Sequence, residues 1–402
     1  MQINKEKEIE ELINRGVEEV YPNKETLEKK LKSTDKIRLY CGFDPSANSL
    51  HIGNAILINK LAQFQKLGHE VIFLIGDFTG MIGDPTDKAS TRKKLSRDEV
   101  LKNSEDYQRQ AASFLDFNGE NKAKVLYNST WNDKLSFKDL IELSSHFTVQ
   151  QMIQRDMFQK RLESEKPIYL HEFLYPLTQA YDSVAMDVDL EIGGNDQMFN
   201  MMCGRDLLRN LKNKEKFVLT MKLLADESGK KMGKSEGNVV FLNEKAKDIY
   251  GKVMSWPDGV MSVAFELCTQ LDWQEVKNIQ KDIKEEKVNP RDLKMKLAKE
   301  ITRIIKNDKE ADLAEDYFIK TIQKKQAPDD VKNLSLGKDK LNVLDLLVFS
   351  ELVSSKGEAR RLIKQKGLKL DGDIVDSSDL DIDLNKERLI QKGKRHFLKV
   401  KK

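Results

Sequence analysis

Four stretches of this 402-residue chain bring together residue types that handle anions and polar small molecules. In "LYCGFDPSANSLHIGNA" (39–55) a strand-like run passes through Gly42, Asp44 and Pro45 to His51-Ile52-Gly53-Asn54, where a helical pattern opens. A helix N-terminus offers unpaired backbone N–H groups and a partial positive charge, so it attracts phosphate. Gly53 permits close approach to the backbone, and His51 and Asn54 can donate to a phosphoryl oxygen. Taken alone, a helix start carrying a solvated histidine explains the same residues. In "GKKMGKSEGN" (229–238), Lys230, Lys231 and Lys234 are interleaved with Gly229, Gly233 and Gly237. That is a cationic loop suited to following a polyphosphate, or else a lysine-rich surface loop. It is no P-loop, because Ser228 stands where that motif needs glycine and the strand–loop–helix order is missing.

The other two stretches suit a small polar substrate. In "LHEFLYPLTQAYDSVAM" (170–186), Tyr175, Gln179 and Asp182 fall at i, i+4 and i+7 and share one helix face. Leu174, Leu177, Tyr181 and Val184 lie on the other side, ready for a core, so the polar face reads as a pocket wall. "EIGGNDQMF" (191–199) ends a strand in Gly193-Gly194 and opens a helix with Asn195-Asp196. Paired glycines admit a flat ring, and Asp196 is placed to accept from ribose hydroxyls; a plain helix cap after a turn is the alternative. "GDFTGMIGDPTDK" (76–88) adds a further strand end with Asp84, followed by Lys88 and Arg92.

The elements that must position these groups follow from periodicity. Residues 36–44, 70–78, 124–128 and 187–192 read as short apolar strands with helical patterns between them. Alternation of this kind implies a parallel sheet with helices on both faces, and ligands bind such sheets beyond the strands' carboxyl ends. Leu57, Leu61 and Phe64 recur at helical spacing after the His51 stretch, with Gly68 placed to close that helix. From about 244 to 323 the pattern is helical and charged. Residues 324–340 are polar with Pro and Gly and read as a linker. Beyond it, Ser355 and Glu358 form a capping-box pattern, a helix runs to about Lys366 with Gly367 as its stop, and "LKLDGDIV" reads as two strands about an Asp-Gly turn.

Bulk properties exclude several classes. With 39% hydrophobic and 34% charged residues the chain suits a soluble protein of two or three domains. No apolar run approaches the roughly 18 residues of a membrane span, and the charged, helical N-terminal stretch is not expected to be a signal peptide. Three dispersed cysteines and five scattered histidines speak against a disulfide framework or a metal site and for a reducing, cytoplasmic setting. The net charge of +3 is unevenly placed: residues 342–402 hold 14 Lys+Arg against 10 Asp+Glu, while the remainder holds 55 against 56. A basic small unit after a near-neutral large one suggests a polyanion-binding appendage.

The four stretches, in this order, resemble a class I aminoacyl-tRNA synthetase, and specifically the bacterial-type tyrosyl-tRNA synthetases. "HIGN" is similar to that class's HIGH signature and "KMGKS" (231–235) to its KMSKS loop; "YCGFDP", "GDPTDK", "YPLTQAYDSV" and "GGNDQ" resemble tyrosyl-enzyme segments. "LVSSKGEARRLIKQKGLKLDGDIV" resembles the S4 RNA-binding domain of those enzymes. The resemblance covers about 35–240, 285–305 and 342–400. It implies a Rossmann-like catalytic domain over 1–240 with a helical connective insertion near 130–165. It also implies an α-helical subdomain on the tRNA anticodon side over 241–323, a linker over 324–341 and a small α+β S4-like domain over 342–402. Carried over, it gives the substrate phenol to Tyr40 and Asp182, the α-ammonium to Asp84, Tyr175 and Gln179, and the carboxylate region to Gln197. Gly42, Asp44, Gly53, Gly194 and Asp196 would line the ATP site. His51, Asn54, Lys231 and Lys234 would act on the phosphates, joined by Lys88 and Arg92.

The implied activity is tyrosine–tRNA ligation, with L-tyrosine, ATP and tRNA(Tyr) as partners and Mg²⁺ arriving with ATP. No protein-bound metal or organic cofactor and no membrane association are expected, and the resemblance implies a homodimer through the 130–165 helices. Lys356, Arg360 and Lys364 at four-residue steps, with Arg361 beside them, would meet the tRNA backbone. The sister enzyme for tryptophan and a non-catalytic RNA-binding protein on the same scaffold are the alternatives. Two positions depart from the family pattern: Asn54 replaces the second histidine of HIGH, and Gly233 replaces the first serine of KMSKS.

Overall fold

The computed structural model describes residues 2–33, 35–84, 95–226, 239–323, 331–393 and 396–402. They form two units, Met1–Asp308 and Lys309–Lys402.

Six strands make the sheet of the first unit: β1 (Val17–Tyr21), β2 (Arg38–Phe43), β3 (Glu70–Ile75), β4 (Lys124–Tyr127), β5 (Leu190–Gly194) and β6 (Phe217–Met221). Their order is β1-β6-β5-β2-β3-β4, with β1 alone antiparallel to its neighbour. β2 and β3 read as near-continuous apolar runs because both sheet faces are covered by helices. From β2 the chain builds outward through β3 and β4, then returns to the other side of β2 with β5 and β6. The reversal lies between β2 and β5, which pair only at Leu39–Leu190 and Tyr40–Glu191 before diverging. A crevice opens at that switch point, where open sheets of this kind bind their ligands.

The apolar runs of the sequence coincide with β2, β3 and β4; β5 begins at Leu190, inside the run expected from 187. β1 and β6 have no counterpart among the expected strands. β1 reads "VEEVY", with both glutamates exposed, so its short alternation is masked by charge. β6 is five residues long and sits between lysine-rich segments.

The helix Ile52–Lys66 follows β2 and buries Ile58, Leu61 and Phe64 completely. Leu57, expected on that buried face, is half-buried and lines the crevice instead. Gly68, at φ +90°, ends the turn after the helix as the sequence indicates. The helix Leu170–Met186 packs along the helix Met198–Lys212 on one side of the sheet. The connective region carries the helices Phe137–Ser145, Val149–Ile153 and Asp156–Glu163. Beyond β6 come the helices Ala246–Met254, Met261–Cys268, Trp273–Lys284 and Pro290–Ile305.

In the second unit, β7 (Lys332–Ser335), β8 (Lys340–Asn342), β9 (Leu368–Leu370), β10 (Asp373–Ile374), β11 (Asp381–Asp383), β12 (Arg388–Lys392) and β13 (His396–Lys401) form two sheets. Five strands run in the order β10-β9-β12-β13-β7, and β11 pairs β8. β9 and β10 turn about Asp371-Gly372, both at positive φ, as the Asp-Gly signal predicts. Three details differ from the sequence reading. Within the expected linker, residues 332–335 form β7 and pair with β13. The helix Lys356–Lys364 stops before Lys366, which itself takes the left-handed turn at φ +55°. Gly367 is needed instead for space, since a Cβ there would lie 2.7 Å from Leu362 Cδ1. The cap is offset as well: Ser355 Oγ accepts from the Glu358 N–H, but the Glu358 carboxylate accepts from the N–H of Ser354.

Candidate active site

The crevice between the carboxyl ends of β2 and β5 holds a cavity of about 400 Å³. It is lined by Tyr40, Gly42, Asp44, His51, Gly53 and Asn54 from β2 and its following helix. Asp84 enters from beyond β3, Tyr175, Gln179 and Asp182 from the Leu170–Met186 helix, and Gly194, Asp196 and Gln197 from the end of β5. Every site residue expected from the sequence that the structure describes in the first unit therefore meets in one cavity. Lys88, Arg92, Lys231 and Lys234 lie outside the described residues.

At the deep end, Asp182 is 2% exposed. Its carboxylate accepts from Trp131 Nε1 at 2.7 Å, Asn132 Nδ2 at 3.1 Å and Asn128 Nδ2 at 3.2 Å. Burial pushes its pKa up to about 8, against the pull of those three donors. The Tyr40 hydroxyl lies 3.0 Å from Ser183 Oγ, and burial raises the phenol further from ionisation, so it stays a neutral donor or acceptor.

Midway, Asp44 accepts from Thr79 Oγ1 at 2.6 Å and from the Tyr175 hydroxyl at 2.7 Å. Gly76 makes room for this: a Cβ there would lie 2.1 Å from Asp44 Oδ1 and 2.4 Å from Thr79 Oγ1. Gln197 Nε2 donates to Asp84 Oδ2 at 2.6 Å, and Arg155 of the connective region stands 3.8 Å from Asp84. Asp196 is held above the usual carboxylate range by burial and by the charge of Asp84. Gly194 leaves space for it, since a Cβ at Gly194 would lie 2.5 Å from Asp196 Oδ1.

At the outer end, His51 is the N-cap of the Ile52–Lys66 helix. Its Nδ1 accepts from the Asn54 N–H at 3.3 Å, while Asn54 Oδ1 accepts from the His51 N–H at 3.0 Å. With Nδ1 accepting, the ring proton of a neutral imidazole sits on Nε2. Gly53 serves this cap, because a Cβ there would lie 3.1 Å from the His51 ring. The segment after residue 238 is tied to the same place: Ile52 N–H donates to Val240 O at 2.9 Å and Leu242 N–H to Leu50 O at 2.9 Å. The HIGN turn and the downstream root of the KMGKS stretch thus share one short antiparallel bridge.

Sequence reasoning missed Asn128, Trp131 and Asn132, which come from a short connective turn with no motif of its own. It also missed Glu191 and Lys216, both buried and joined by a short ion pair. A glutamate inside the apolar run "DLEIGG" was the available signal. Among the described residues no cluster of three or more His, Cys, Asp or Glu side chains is arranged to hold a metal, and no helix is long and apolar enough to cross a membrane. In the second unit, Lys356, Arg360, Arg361 and Lys364 are all exposed on their helix, with Lys356 2.5 Å from Asp345.

A helix-covered, mostly parallel sheet with a helix N-terminus and a cavity of about 400 Å³ at its switch point is the arrangement a class I aminoacyl-tRNA synthetase catalytic domain presents. The chain belongs to the family of class I tRNA synthetases for tryptophan and tyrosine, whose model matches residues 32–323, and residues 323–400 match the tyrosine–tRNA ligase SYY-like C-terminal domain. It is 43% identical to tyrosine–tRNA ligase 2 of Clostridium acetobutylicum over 97% of each chain. It is 39% identical to the tyrosine–tRNA ligase of Thermotoga maritima over 97% of this chain and 96% of that one. In fold it is similar to the tyrosyl-tRNA synthetase of Archaeoglobus fulgidus, solved with L-tyrosine. The TM-score there is 0.61 at 20% identity, covering 77% of this chain and 99% of that one.

Proposed function

We infer that the chain is a tyrosine–tRNA ligase. It activates L-tyrosine with ATP to tyrosyl-adenylate and pyrophosphate, then transfers the tyrosyl group to the 3′-terminal ribose of tRNA(Tyr). The observation that carries this is the deep end of the cavity, where a buried carboxylate and a tyrosine hydroxyl line one slot. A phenol satisfies both groups. Phenylalanine leaves the cavity-facing proton of Tyr40 and the remaining acceptor capacity of Asp182 without a partner, and a missing hydroxyl of this kind costs roughly 10⁴–10⁵ in discrimination, the figure known for this enzyme family. Tryptophan offers an indole N–H but no hydroxyl oxygen for Tyr40.

In this reading Tyr40 and Asp182 hold the phenol. Asp84, Tyr175 and Gln179 hold the α-ammonium, and Gln197 lies at the carboxylate. The carboxylate is already an anion and attacks the α-phosphate without a general base. Catalysis is then positioning and charge neutralisation. Gly42, Asp44, Gly53, Gly194 and Asp196 line the nucleotide, with Asp196 accepting from ribose. His51 Nε2–H and the Asn54 amide donate to the phosphates at the helix N-terminus, together with Lys231, Lys234, Lys88 and Arg92. Mg²⁺ enters bound to the ATP phosphates. Lys356, Arg360, Arg361 and Lys364 meet the tRNA backbone, and the enzyme works in the cytoplasm.

The enzyme acts as a homodimer through its connective helices. What supports this is their apolar exposure: Phe137 is 78% exposed, Ile141 58% and Val149 69%. Patches of this kind mark association surfaces. The decisive experiment is ATP–pyrophosphate exchange with purified protein. Exchange dependent on tyrosine, and charging of tRNA(Tyr), are expected; exchange driven by tryptophan, or none with either amino acid, would overturn the reading.

A further inference from the structure

At the amino-acid end of the cavity, Tyr40 and Gln179 join a buried polar network whose other members, Ser183, Glu191 and Lys216, have no part in the roles above. Lys216, fully buried immediately before β6, donates to Glu191 Oε2 in a short ion pair and to Ser183 Oγ at 2.8 Å. Ser183 Oγ lies 3.0 Å from the Tyr40 hydroxyl and 3.4 Å from Glu191 Oε2. Gln179 Nε2 donates to the other carboxylate oxygen, Glu191 Oε1, at 3.0 Å. The fold reserves space for this cluster. At Gly204, inside the Met198–Lys212 helix, a Cβ would lie 2.6 Å from Lys216 Nζ and 2.8 Å from Ser183 Oγ.

A buried ion pair is a weak source of stability, since an apolar pair of the same volume does as well or better. Its distinctive property is direction. An ammonium only donates and a carboxylate only accepts. Lys216 therefore makes Ser183 Oγ an acceptor and leaves the serine one proton to place, between Glu191 Oε2 at 3.4 Å and the Tyr40 oxygen at 3.0 Å. Glu191 Oε2 already takes the Lys216 ammonium, so the serine proton is assigned to the shorter contact, Tyr40. With its oxygen satisfied, Tyr40 keeps its own proton for the cavity. Glu191 likewise forces the Gln179 amide to present its NH₂ inward. The amide oxygen is left as a buried acceptor that takes no hydrogen bond from the described residues.

We propose that Lys216, acting through Glu191 and Ser183, sets the hydrogen-bond polarity of both ends of the tyrosine pocket. Tyr40 becomes a donor toward the phenol oxygen, whose proton goes to Asp182, and Gln179 becomes an acceptor toward the α-ammonium. The proposal rests on the tyrosine-activation reading above. Lys216, Glu191 and Ser183 are positioning residues that reach substrate only through Tyr40 and Gln179. Without the serine, the Tyr40 oxygen loses the donor that leaves its own proton to the cavity, and the phenol oxygen loses its partner.

The test is pyrophosphate exchange with tyrosine and with phenylalanine, read together with KM for ATP and Tm. Ser183→Ala cuts only the arm to Tyr40. It should lower tyrosine-over-phenylalanine discrimination about tenfold, the value of one hydrogen bond, with KM for ATP unchanged. Lys216→Met with Glu191→Leu removes both charges and both arms. It should raise KM for tyrosine by more than the single variant does, again sparing KM for ATP. Wild-type discrimination in a folded Ser183→Ala enzyme would overturn the proposal, as would equal rises in KM for tyrosine and ATP in either variant. If the wild-type enzyme shows no tyrosine-dependent exchange, it is the function that fails rather than the polarity device.

Discussion

In the proposed reading Asp182 holds the substrate phenol, and it then concentrates the physics of recognition in one carboxyl group. Burial raises its pKa to about 8 while Trp131, Asn128 and Asn132 pull the other way, so its ionised form, the better acceptor for a phenol, gains population as pH rises through that value. We expect kcat/KM for tyrosine, which reports the free enzyme, to climb between about pH 7 and 9. Trp131→Phe removes one donor and should move that climb to higher pH; an unmoved profile would show that another group titrates. The stability effect has the opposite sign. A folded-state pKa above the ordinary carboxyl value stabilises the fold most below that ordinary value, and the contribution is lost as pH rises through about 8. The ligand-free enzyme should therefore lose Tm progressively from about pH 4 to 8, the end of that loss overlapping the start of the gain in tyrosine capture, and Asp182→Asn should flatten the loss. Asp182→Asn and Tyr40→Phe should both erode tyrosine-over-phenylalanine discrimination, by about 10² or more for the charged partner, with KM for ATP nearly constant. Preserved discrimination in both would place the phenol elsewhere. The groups that line the cavity are legible in the sequence because they come in short motifs, whereas Trp131 and Lys216, which hold lining residues from behind, come from segments with no pattern of their own.

The helix Ile52–Lys66 shows how one element serves fold and chemistry at once. His51 and Asn54 close a reciprocal cap, so Asn54 is not only a substitute for a phosphate-binding histidine. Its Oδ1 holds the His51 backbone, and its Nδ2 is the atom with protons to give. Asn54→Asp separates the two jobs. The carboxylate keeps the capping oxygen and places a negative charge on the first helical turn, where the helix dipole favours it by about 0.3–1 kcal/mol. Tm should hold or rise slightly, while adenylate formation should slow by about 10²-fold, the usual cost of a lost anion-stabilising donor, here with repulsion added. An enzyme that loses both stability and rate would mean that the cap itself had failed. Gly76→Ala makes the converse point at the end of β3: the added Cβ falls on Asp44 Oδ1, so Asp44 and its bonds to Thr79 and Tyr175 must shift. KM for ATP should rise with little change in Tm, and an unchanged KM would show that Asp44 has room to move. The central strands are readable because burial on both faces makes them continuous apolar runs. β1 and β6, at the far side of the sheet, escape because the exposed glutamates of β1 mask its pattern and lysine-rich segments flank the short apolar run of β6.

On the scale of the whole chain, the charge split between residues 342–402 and the rest marks an appendage from the amino-acid sequence alone, but the appendage begins earlier than the charge does. Residues 332–335 look like linker because they are short and polar, yet β7 finds its hydrogen bonds at the far end of the unit in β13, a pairing that no local pattern announces. The boundary matters for truncation. A chain ending near Gly337 would keep β7 and remove its partner, exposing an unpaired strand edge that invites aggregation. A chain ending at Gln323 removes all of β7–β13 together and leaves the cavity intact, because every residue lining it belongs to the first unit. We expect that shorter chain to form tyrosyl-adenylate at close to the full-length rate. It should charge tRNA(Tyr) poorly at subsaturating tRNA, since the exposed Arg360, Arg361 and Lys364 go with the removed unit. Phosphate contacts release counterions, so each one steepens the fall of affinity with salt by about 0.7–0.9 in the logarithmic slope. Losing three or four should flatten the salt dependence of tRNA affinity in the truncated chain, and the gap between the two proteins should narrow as salt is raised. Charging by the truncated chain at the full-length rate, with an unchanged salt slope, would remove the C-terminal unit from tRNA recognition.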